Sequence, residues 1–186
     1  CFYWFLSNII CFIHPTGRDY QHHSHYKKPP TMNQEELMRE AIRLASANVD
    51  NGGGPFGAVI ARGGEIIATG VNRVTANCDP TAHAEVSAIR AAAQKLGTFN
   101  LSGCEIYSSC EPCPMCLGAI YWARLDRLFY GNTKADAARI GFDDAFIYKE
   151  LALPLSERTL RAEQLLGKEA IATFEAWEQK TDKTPY

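Results

Sequence analysis

The sequence SCEPCPMCLGAIYWA, residues 109–123, places Cys113 and Cys116 three positions apart, just after Pro112. A strand-like segment at 104–109 precedes the cysteines, and a helix-like segment at 115–125 follows them. This order predicts both thiols in the first turn of a helix, where residues i and i+3 share a face. Backbone N–H groups and the helix dipole favour thiolates at that end. The stretch therefore predicts two ligands of a zinc site.

Only one histidine lies beyond the first 25 residues of the chain. The chain has five histidines, and this one, His83, stands in the sequence PTAHAE at 80–85, ahead of a predicted helix. His83, Cys113 and Cys116 are therefore the candidate Zn²⁺ ligands, and Glu85 follows the histidine by two residues. Three protein ligands leave the fourth zinc position open, which is typical of catalytic rather than structural sites.

Length, charge and cysteine content favour a single cytoplasmic domain that does not bind nucleic acid. A chain of 186 residues fits one domain with a proper core. Its formal net charge is −2; residues 1–31 contribute +2, so the remaining residues carry −4. A domain that binds nucleic acid is usually basic or carries a basic stripe, so we expect no nucleic-acid partner. Seven cysteines without regular disulfide spacing indicate a reducing compartment.

Residues 1–31 differ in composition from the rest of the chain. Residues 1–13 are largely apolar, but they are too few to span a membrane as a helix. They lack the basic start and the small-residue cleavage site of a signal peptide. We interpret residues 1–31 as a non-native or disordered extension and residues 32–186 as the folded domain, with a membrane anchor as the alternative. No membrane partner is expected for residues 32–186.

Hydrophobic periodicity predicts alternating helices and strands. The predicted helices are 33–48, 83–96, 112–125 and 170–180, and the predicted strands are 56–61, 65–71, 104–109 and 127–130. Residues 146–151 and 160–166 are ambiguous. Strand–helix–strand order implies right-handed parallel crossovers. The pattern predicts a three-layer α/β/α domain around a mixed sheet.

Glu85 is the one acid placed to transfer protons at such a site. An open zinc site lowers the pKa of water to roughly 7, and an amine leaves only after protonation. Residues two apart on an ideal helix point about 200° apart. His83 must therefore lie at the very start of its helix if both side chains are to reach the metal. His-x-Glu followed by Pro-Cys-x-x-Cys is the known signature of zinc-dependent nucleobase deaminases.

Four blocks of the sequence resemble the cytidine deaminase superfamily and, within it, the bacterial guanine deaminases. They are GGPFGAVI at 53–60, NCDPTAHAE at 77–85, residues 109–123, and GFDDAFIYKE at 141–150. The last block separates guanine deaminases from their relatives. The resemblance implies a five-stranded mixed sheet and hydrolysis of guanine to xanthine and ammonia. It also implies that His83, Cys113 and Cys116 bind zinc and that Glu85 shuttles protons.

The same resemblance implies substrate contacts and a dimer. The residues implied at the purine base are Phe56, Asn72, the backbone N–H of Ala84, Trp122, Asp144 and Tyr186. Of these, Asp144 is also expected to assist proton movement. Family members are domain-swapped homodimers, in which the C-terminal segment closes the partner's active site and a terminal tyrosine reaches the base. Residues 160–185 differ from the family pattern.

The residues taken alone allow other interpretations. Cys110 is a possible fourth ligand of a structural zinc site. Asp144 fits a turn or helix cap, Asn72 a strand end, Phe56 and Trp122 the core, and Tyr186 a frayed terminus. The alternative functions are deamination of guanosine or another nucleoside or base, deamination of adenosine in tRNA, and a non-catalytic zinc-stabilised interaction domain. A carboxyl group at Glu85 beside an open metal position distinguishes an enzyme from the last of these.

Overall fold

The computed structural model describes residues 31–186, so the predicted N-terminal extension lies almost entirely outside the described residues. The described chain enters its first helix through a capping box. The Asn33 side chain accepts a hydrogen bond from the backbone N–H of Glu36, and the Glu36 carboxylate accepts one from the N–H of Asn33. This reciprocal pair fixes the start of the helix at the position that the sequence predicts.

The described residues contain seven α-helices and four strands. Their order is α1 (Gln34–Asp50), β1 (Gly57–Arg62), β2 (Glu65–Val71), α2 (Val74–Asn77), α3 (Ala84–Leu96), β3 (Glu105–Cys110), α4 (Pro114–Trp122), β4 (Arg127–Asn132), α5 (Lys134–Arg139), α6 (Ala145–Ala152) and α7 (Gly167–Gln179), with a single 3₁₀ turn at Leu155–Glu157. Every predicted helix and strand is present. The unpredicted helices α2 and α5 are one or two turns long, which is too short to show a helical period. None of the described helices is long and apolar enough to cross a membrane.

The sheet is mixed and has the strand order β2-β1-β3-β4. Strand β1 pairs antiparallel with both β2 and β3, whereas β3 and β4 are parallel and joined through α4. The prediction of five strands is wrong for the described residues, which form four. Of the two ambiguous segments, 146–151 lies within α6 and 160–166 forms no strand.

Helices cover both faces of the sheet, which confirms the three-layer architecture. Side chains alternate along β1. Ala58 and Ile60 pack in a cluster with residues of α3 and α4, while Val59 and Ala61 pack with residues of α1 on the opposite face. Strands β2 and β3 both run antiparallel to β1, so their C-terminal ends lie at the same edge of the sheet, and α3 and α4 are the longer helices that follow them.

A glycine lets α3 approach the sheet closely. A Cβ atom on Gly70 of β2 would lie 2.2 Å from the carbonyl oxygen of Ala84 and 2.5 Å from the nitrogen of Ala88. These are backbone atoms of α3, so they cannot move without moving the helix. Because Gly70 has no side chain, the start of α3 can pack directly against the backbone of β2.

Replacing Gly70 with alanine is expected to lower the free energy of unfolding by about 1–3 kcal/mol, because the added methyl group overpacks the interface. Urea denaturation followed by circular dichroism measures the change. The matched control is Gly118→Ala on α4, where no atom of the described residues, beyond the helix's own nearby backbone, lies within 4 Å of the added Cβ. That variant is expected to be as stable as the parent or slightly more so, since alanine favours helix. Equal midpoints for Gly70→Ala and the parent would contradict the assigned packing.

Candidate active site

His83 precedes its helix rather than lying inside it. It is the N-cap of α3, with extended backbone angles of φ −71° and ψ 159°, and its side chain makes no capping hydrogen bond. Glu85 is the second residue of the helix proper. Because the backbone of His83 is not helical, the 200° separation of an ideal helix does not apply, and both side chains reach the same point.

The two cysteines occupy the start of α4 in a related way. Cys113 is the N-cap, also extended, and Pro114 takes the first helical position, where its missing N–H costs nothing. Cys116 lies one turn later and is fully buried. Cys113 thus stands just before the first turn instead of within it, and the two sulfur atoms still converge.

Three ligand atoms from α3 and α4 form a compact group. The Nδ1 atom of His83 lies 3.5 Å from Cys113 Sγ and 3.4 Å from Cys116 Sγ, and all three atoms lie within 4.8 Å of one another. Zinc bonds of about 2.0 Å to nitrogen and 2.3 Å to sulfur put tetrahedral ligand atoms about 3.5 Å apart. The donor atoms therefore fit a zinc ion.

Cys110 does not belong to this group. Its thiol donates to the carbonyl oxygen of Thr133 at 3.6 Å. Burial raises the pKa of Cys110 to about 11, which opposes the thiolate form that metals bind. The described residues therefore offer three zinc ligands from histidine and cysteine and not the closed set of four.

The side chains of the three candidate zinc ligands shift one another's pKa values. A hydrogen bond from Cys116 lowers the pKa of Cys113 to about 4, with a further contribution from His83. The same hydrogen bond raises the pKa of Cys116. The hydrogen bond to Cys113 raises the pKa of His83. One thiolate is thus already favoured at neutral pH, as a metal ligand requires.

Glu85 is a buried carboxyl group next to the ligands. Its side chain is 6% exposed, and Oε2 lies 3.4 Å from Cys116 Sγ. The hydroxyl of Ser108 on β3 donates to Oε1 at 3.1 Å. Burial raises the pKa of Glu85, so the carboxyl group holds a proton more readily than an exposed one. Sequence reasoning missed Ser108, which lies beside a second serine in β3 and belongs to none of the motifs recognised in the sequence.

A cavity of about 700 Å³ opens beside the predicted zinc ligands. Its lining includes His83, Glu85 and Cys113 from the predicted metal site. It also includes three of the residues predicted to contact substrate, which are Phe56, Asn72 and Asp144. The structure thus brings these three to the same cavity as the metal ligands, although they come from three distant parts of the chain.

Three other predicted contact residues do not line the cavity within this chain. Ala84 is fully buried, Trp122 is 68% exposed and Tyr186 is 72% exposed. The rings of Trp122 and Tyr186 lie against each other, with centroids 6.3 Å apart, and Phe99 lies 6.4 Å from Tyr186. Substrate contacts from these residues stay predictions.

Asp144 occupies the N-cap position of α6, but the side chain that bonds to the start of the helix is that of Asp143. The Asp143 carboxylate accepts a hydrogen bond from the N–H of Ala145 at 2.9 Å, whereas the side chain of Asp144 makes no capping bond. Asp144 lines the cavity, and burial, followed by the nearby Cys113, raises its pKa. Its carboxyl group is therefore available to a ligand.

Two contacts fasten the 141–150 block over the cavity. Phe142 packs edge-to-face on Phe56, with ring centroids 5.0 Å apart. The hydroxyl of Tyr148 on α6 donates to the carbonyl oxygen of Pro112, in the loop just before Cys113. The block thus forms one wall of the cavity and is tied to the loop that precedes the predicted zinc-ligating cysteines.

Known proteins share this architecture and these motifs. The cytidine and deoxycytidylate deaminase zinc-binding region matches residues 31–132. Guanine deaminase of Bacillus subtilis (strain 168) is 53% identical over 156 residues, which cover 83% of this chain and all of the relative. The X-ray structure of guanine deaminase from Bacillus subtilis superposes with a TM-score of 0.81 at 52% identity, covering 83% of this chain and 99% of that one.

Two further relatives are more distant. The structure of a guanine deaminase from Nitrosomonas europaea has a TM-score of 0.60 at 29% identity and covers 88% of this chain and 87% of its own. A tRNA-specific adenosine deaminase of Aquifex aeolicus (strain VF5) is 40% identical over 99 residues, or 53% of this chain and 66% of the relative. The extent of these matches, together with the His-Cys-Cys group and Glu85, identifies the fold and its metal. The chain therefore belongs to the family of zinc-dependent cytidine and deoxycytidylate deaminases.

Proposed function

We propose that this protein catalyses the hydrolytic deamination of guanine to xanthine and ammonia. The observation that carries the proposal is the position of Glu85, a buried carboxyl group beside three zinc ligands in a cavity that Asp144 and Phe142 of the 141–150 block also line. Extensive identity to a guanine deaminase supports guanine as the base.

His83, Cys113 and Cys116 would hold the zinc ion. When bound, zinc supplies a Lewis acid that lowers the pKa of a water molecule to roughly 7. The protein supplies the rest of the chemistry. The N-termini of α3 and α4 both face this point, and their partial positive charge favours the anionic ligands.

Glu85 would move the protons of the reaction. Its carboxylate would accept one proton from the attacking water and deliver it to the ring nitrogen, and would then carry the second proton, from the newly added hydroxyl, to the departing amino group of guanine. A C–O bond forms at the carbon that carries the amino group, the C–N bond breaks, and one water is consumed for each ammonia released. The hydrogen bond from Ser108 keeps one carboxyl oxygen fixed, and Oε2 faces the metal ligands.

Phe56 and Asn72 would orient the base. The Oδ1 atom of Asn72 accepts from the N–H of Val74 at 3.3 Å, which leaves the amide nitrogen free to donate to an acceptor on the purine. Phe56 is held by the edge-to-face contact with Phe142, so its ring presents a fixed surface for stacking. Asp144 would receive a proton donor of the base or assist its proton transfer.

Assays with separate substrates test this proposal. Zinc-loaded protein is incubated with guanine, guanosine, adenine, cytosine and a tRNA anticodon stem, and ammonia is measured. We expect release from guanine at a kcat/KM at least a hundredfold above that for the others. Release only from RNA would overturn the free-base assignment in favour of tRNA deamination, and preference for guanosine would make the enzyme a nucleoside deaminase. No release from any substrate would favour a non-catalytic domain.

We also propose that the active protein is a homodimer completed by its C-terminal segment. Helix α7 has no buried residue, and its apolar side chains Ile171, Phe174 and Trp177 are 49%, 74% and 45% exposed. A 13-residue helix is marginal in water without packing of its apolar face. A second copy would cover this face and receive Tyr186 at its cavity.

Charging this face is expected to separate the dimer. Phe174→Asp should elute as a monomer in size-exclusion chromatography with light scattering, while the control Glu175→Lys on the neighbouring position stays dimeric.

Mixed dimers test the role of Tyr186. Refolding Glu85→Gln with Tyr186→Ala chains should restore activity that neither homodimer has, if the tyrosine acts across the interface. A monomeric parent with full activity would contradict the proposal.

We propose further that residues 32–186 form the deaminase domain and that it works in the cytoplasm. The helix cap at Asn33 and the family match that begins at residue 31 support the first statement. The five cysteines among the described residues are all free thiols, which suits a reducing compartment.

A further inference from the structure

Asn48 is a buried polar residue that lies outside every motif recognised in the sequence. It is on α1, two residues before the last residue of the helix, and is 4% exposed. Asparagine is a poor helix former, because its side chain competes for backbone hydrogen bonds. A buried asparagine in a helix therefore requires partners elsewhere in the structure.

Those partners are two backbone segments of the cavity wall. The Nδ2 atom of Asn48 donates to the carbonyl oxygen of Gly54 at 2.8 Å and to that of Asn72 at 2.9 Å. Both hydrogens of the amide are used. The backbone oxygen of Asn48 also accepts from the N–H of Gly53 at 2.8 Å. One residue thus ties the glycine loop after α1 to the end of β2, which lies 24 positions away from it in sequence.

Phe56 is held within the same network. Its N–H donates to Gly54 and its carbonyl oxygen accepts from the N–H of Asn72, at 2.8 and 3.1 Å. Asn48 therefore binds the carbonyl oxygens of Gly54 and Asn72, and these same two residues form backbone hydrogen bonds with Phe56. Any shift of the Asn48 amide moves Phe56 and Asn72 relative to each other.

A close approach shows that the amide is tightly confined. A Cβ atom on Gly53 would lie 2.3 Å from Nδ2 and 2.6 Å from Cγ of Asn48. Glycine is therefore required at position 53 for as long as Asn48 occupies its site. The glycine loop after α1 and the side-chain amide of Asn48 therefore pack in direct contact.

We infer that Asn48 is a positioning residue for base recognition, which sets the distance between the stacking ring of Phe56 and the amide of Asn72. Asn48 does not itself line the cavity, and its hydrogen bonds within the described residues reach the cavity wall only through the backbone and not the metal ligands. Its effect is therefore on substrate affinity and not on the chemical step. This inference rests on the proposed function, since it assumes that Phe56 and Asn72 hold the purine.

Asn48→Asp is the principal test, because it keeps the shape but points carboxylate oxygens at two carbonyl oxygens. We expect KM for guanine to rise at least tenfold, with kcat within threefold of the parent and one zinc per chain. Asn51→Asp is the matched control, since Asn51 makes the same kind of amide-to-backbone bond to Ala47 at the exposed end of α1. It should leave KM unchanged. A lower melting temperature with unchanged KM would overturn the inference and leave Asn48 as a structural residue only.

If Asn48→Asp does not fold, a second pair of variants tests the positioning role of Asn48. Gly53→Ala displaces the amide without removing it and should raise KM, whereas in an Asn48→Ala background the same change should add nothing. Additive effects would overturn the inference.

Calorimetric titration of guanine into Glu85→Gln protein, with and without Asn48→Asp, gives the affinity without turnover. A parent enzyme inactive on guanine would refute the proposed function, while equal dissociation constants in this titration would refute the role of Asn48.

Discussion

Replacing Glu85 with glutamine is expected to lower kcat/KM for guanine about 10³- to 10⁴-fold while zinc stays at one ion per chain. General acid–base catalysis by one positioned group contributes up to about 10⁴-fold, and Glu85 serves both proton transfers. Glutamine has the same shape, and its carbonyl oxygen can still accept the hydrogen bond from Ser108. The variant therefore removes proton transfer by residue 85 but keeps the shape of its side chain and the hydrogen bond from Ser108.

Three measurements separate this loss from a structural one. Zinc is determined by mass spectrometry, kcat/KM by ammonia release, and stability by thermal unfolding. The melting temperature should stay the same or rise, because burial disfavours the ionised carboxylate and raises the pKa of Glu85. Glu105→Gln is the control, because Glu105 is an acid at the start of β3 and outside the cavity lining, and its carboxylate accepts a hydrogen bond from the hydroxyl of Tyr107. Loss of zinc from Glu85→Gln would show that Glu85 is a ligand or a structural support.

The metal site could be predicted from sequence because its information is local. His83 and Glu85 lie two positions apart at a helix start, and Cys113 and Cys116 lie three apart at another. Helix boundaries are marked by prolines and by the onset of apolar periodicity. The one geometric requirement, that His83 stand at the very start of its helix, is met by its extended N-cap conformation.

The long-range contacts could not be predicted in this way. Ser108 bonds to Glu85 across 23 positions and Asn48 to Asn72 across 24, and neither residue stands in a recognisable pattern. Their polar side chains become informative only once burial is known, because a buried polar group must find a partner. The helices and strands of the first hundred residues of the domain thus follow from periodicity. The hydrogen bonds between distant side chains depend on how the chain folds and cannot be predicted from periodicity.

The C-terminal region shows a different limit. Helix α7 is predictable from its apolar periodicity, yet no residue of the helix is buried within the described chain, and Ile171, Phe174 and Trp177 stay 45–74% exposed. Periodicity reports that a surface will be buried and not which chain buries it. The same holds for Trp122 and Tyr186, whose predicted substrate contacts require a second copy if they occur.

Cys116→Ala is the second substitution with a very large expected effect. We expect zinc content to fall below about a tenth of an ion per chain and guanine deamination to fall to background. Cys116 is fully buried and lies 3.4 Å from both His83 and Glu85. Removing its sulfur leaves two ligands for zinc, and it also removes the atom that fixes the Glu85 carboxyl group from the side opposite Ser108.

Stability should change together with metal content, because zinc binds only the folded chain and its binding energy adds to folding. A chelator should lower the melting temperature of the parent protein but not that of Cys116→Ala. The control is Cys104→Ala, the same change at a buried free thiol outside the ligand group, which should keep both its zinc and its response to chelator. Retention of zinc by Cys116→Ala would mean that Cys110 or Glu85 completes the site, and the open catalytic geometry would have to be abandoned. Because Cys110 bonds to Thr133 and has a raised pKa, we expect it not to substitute.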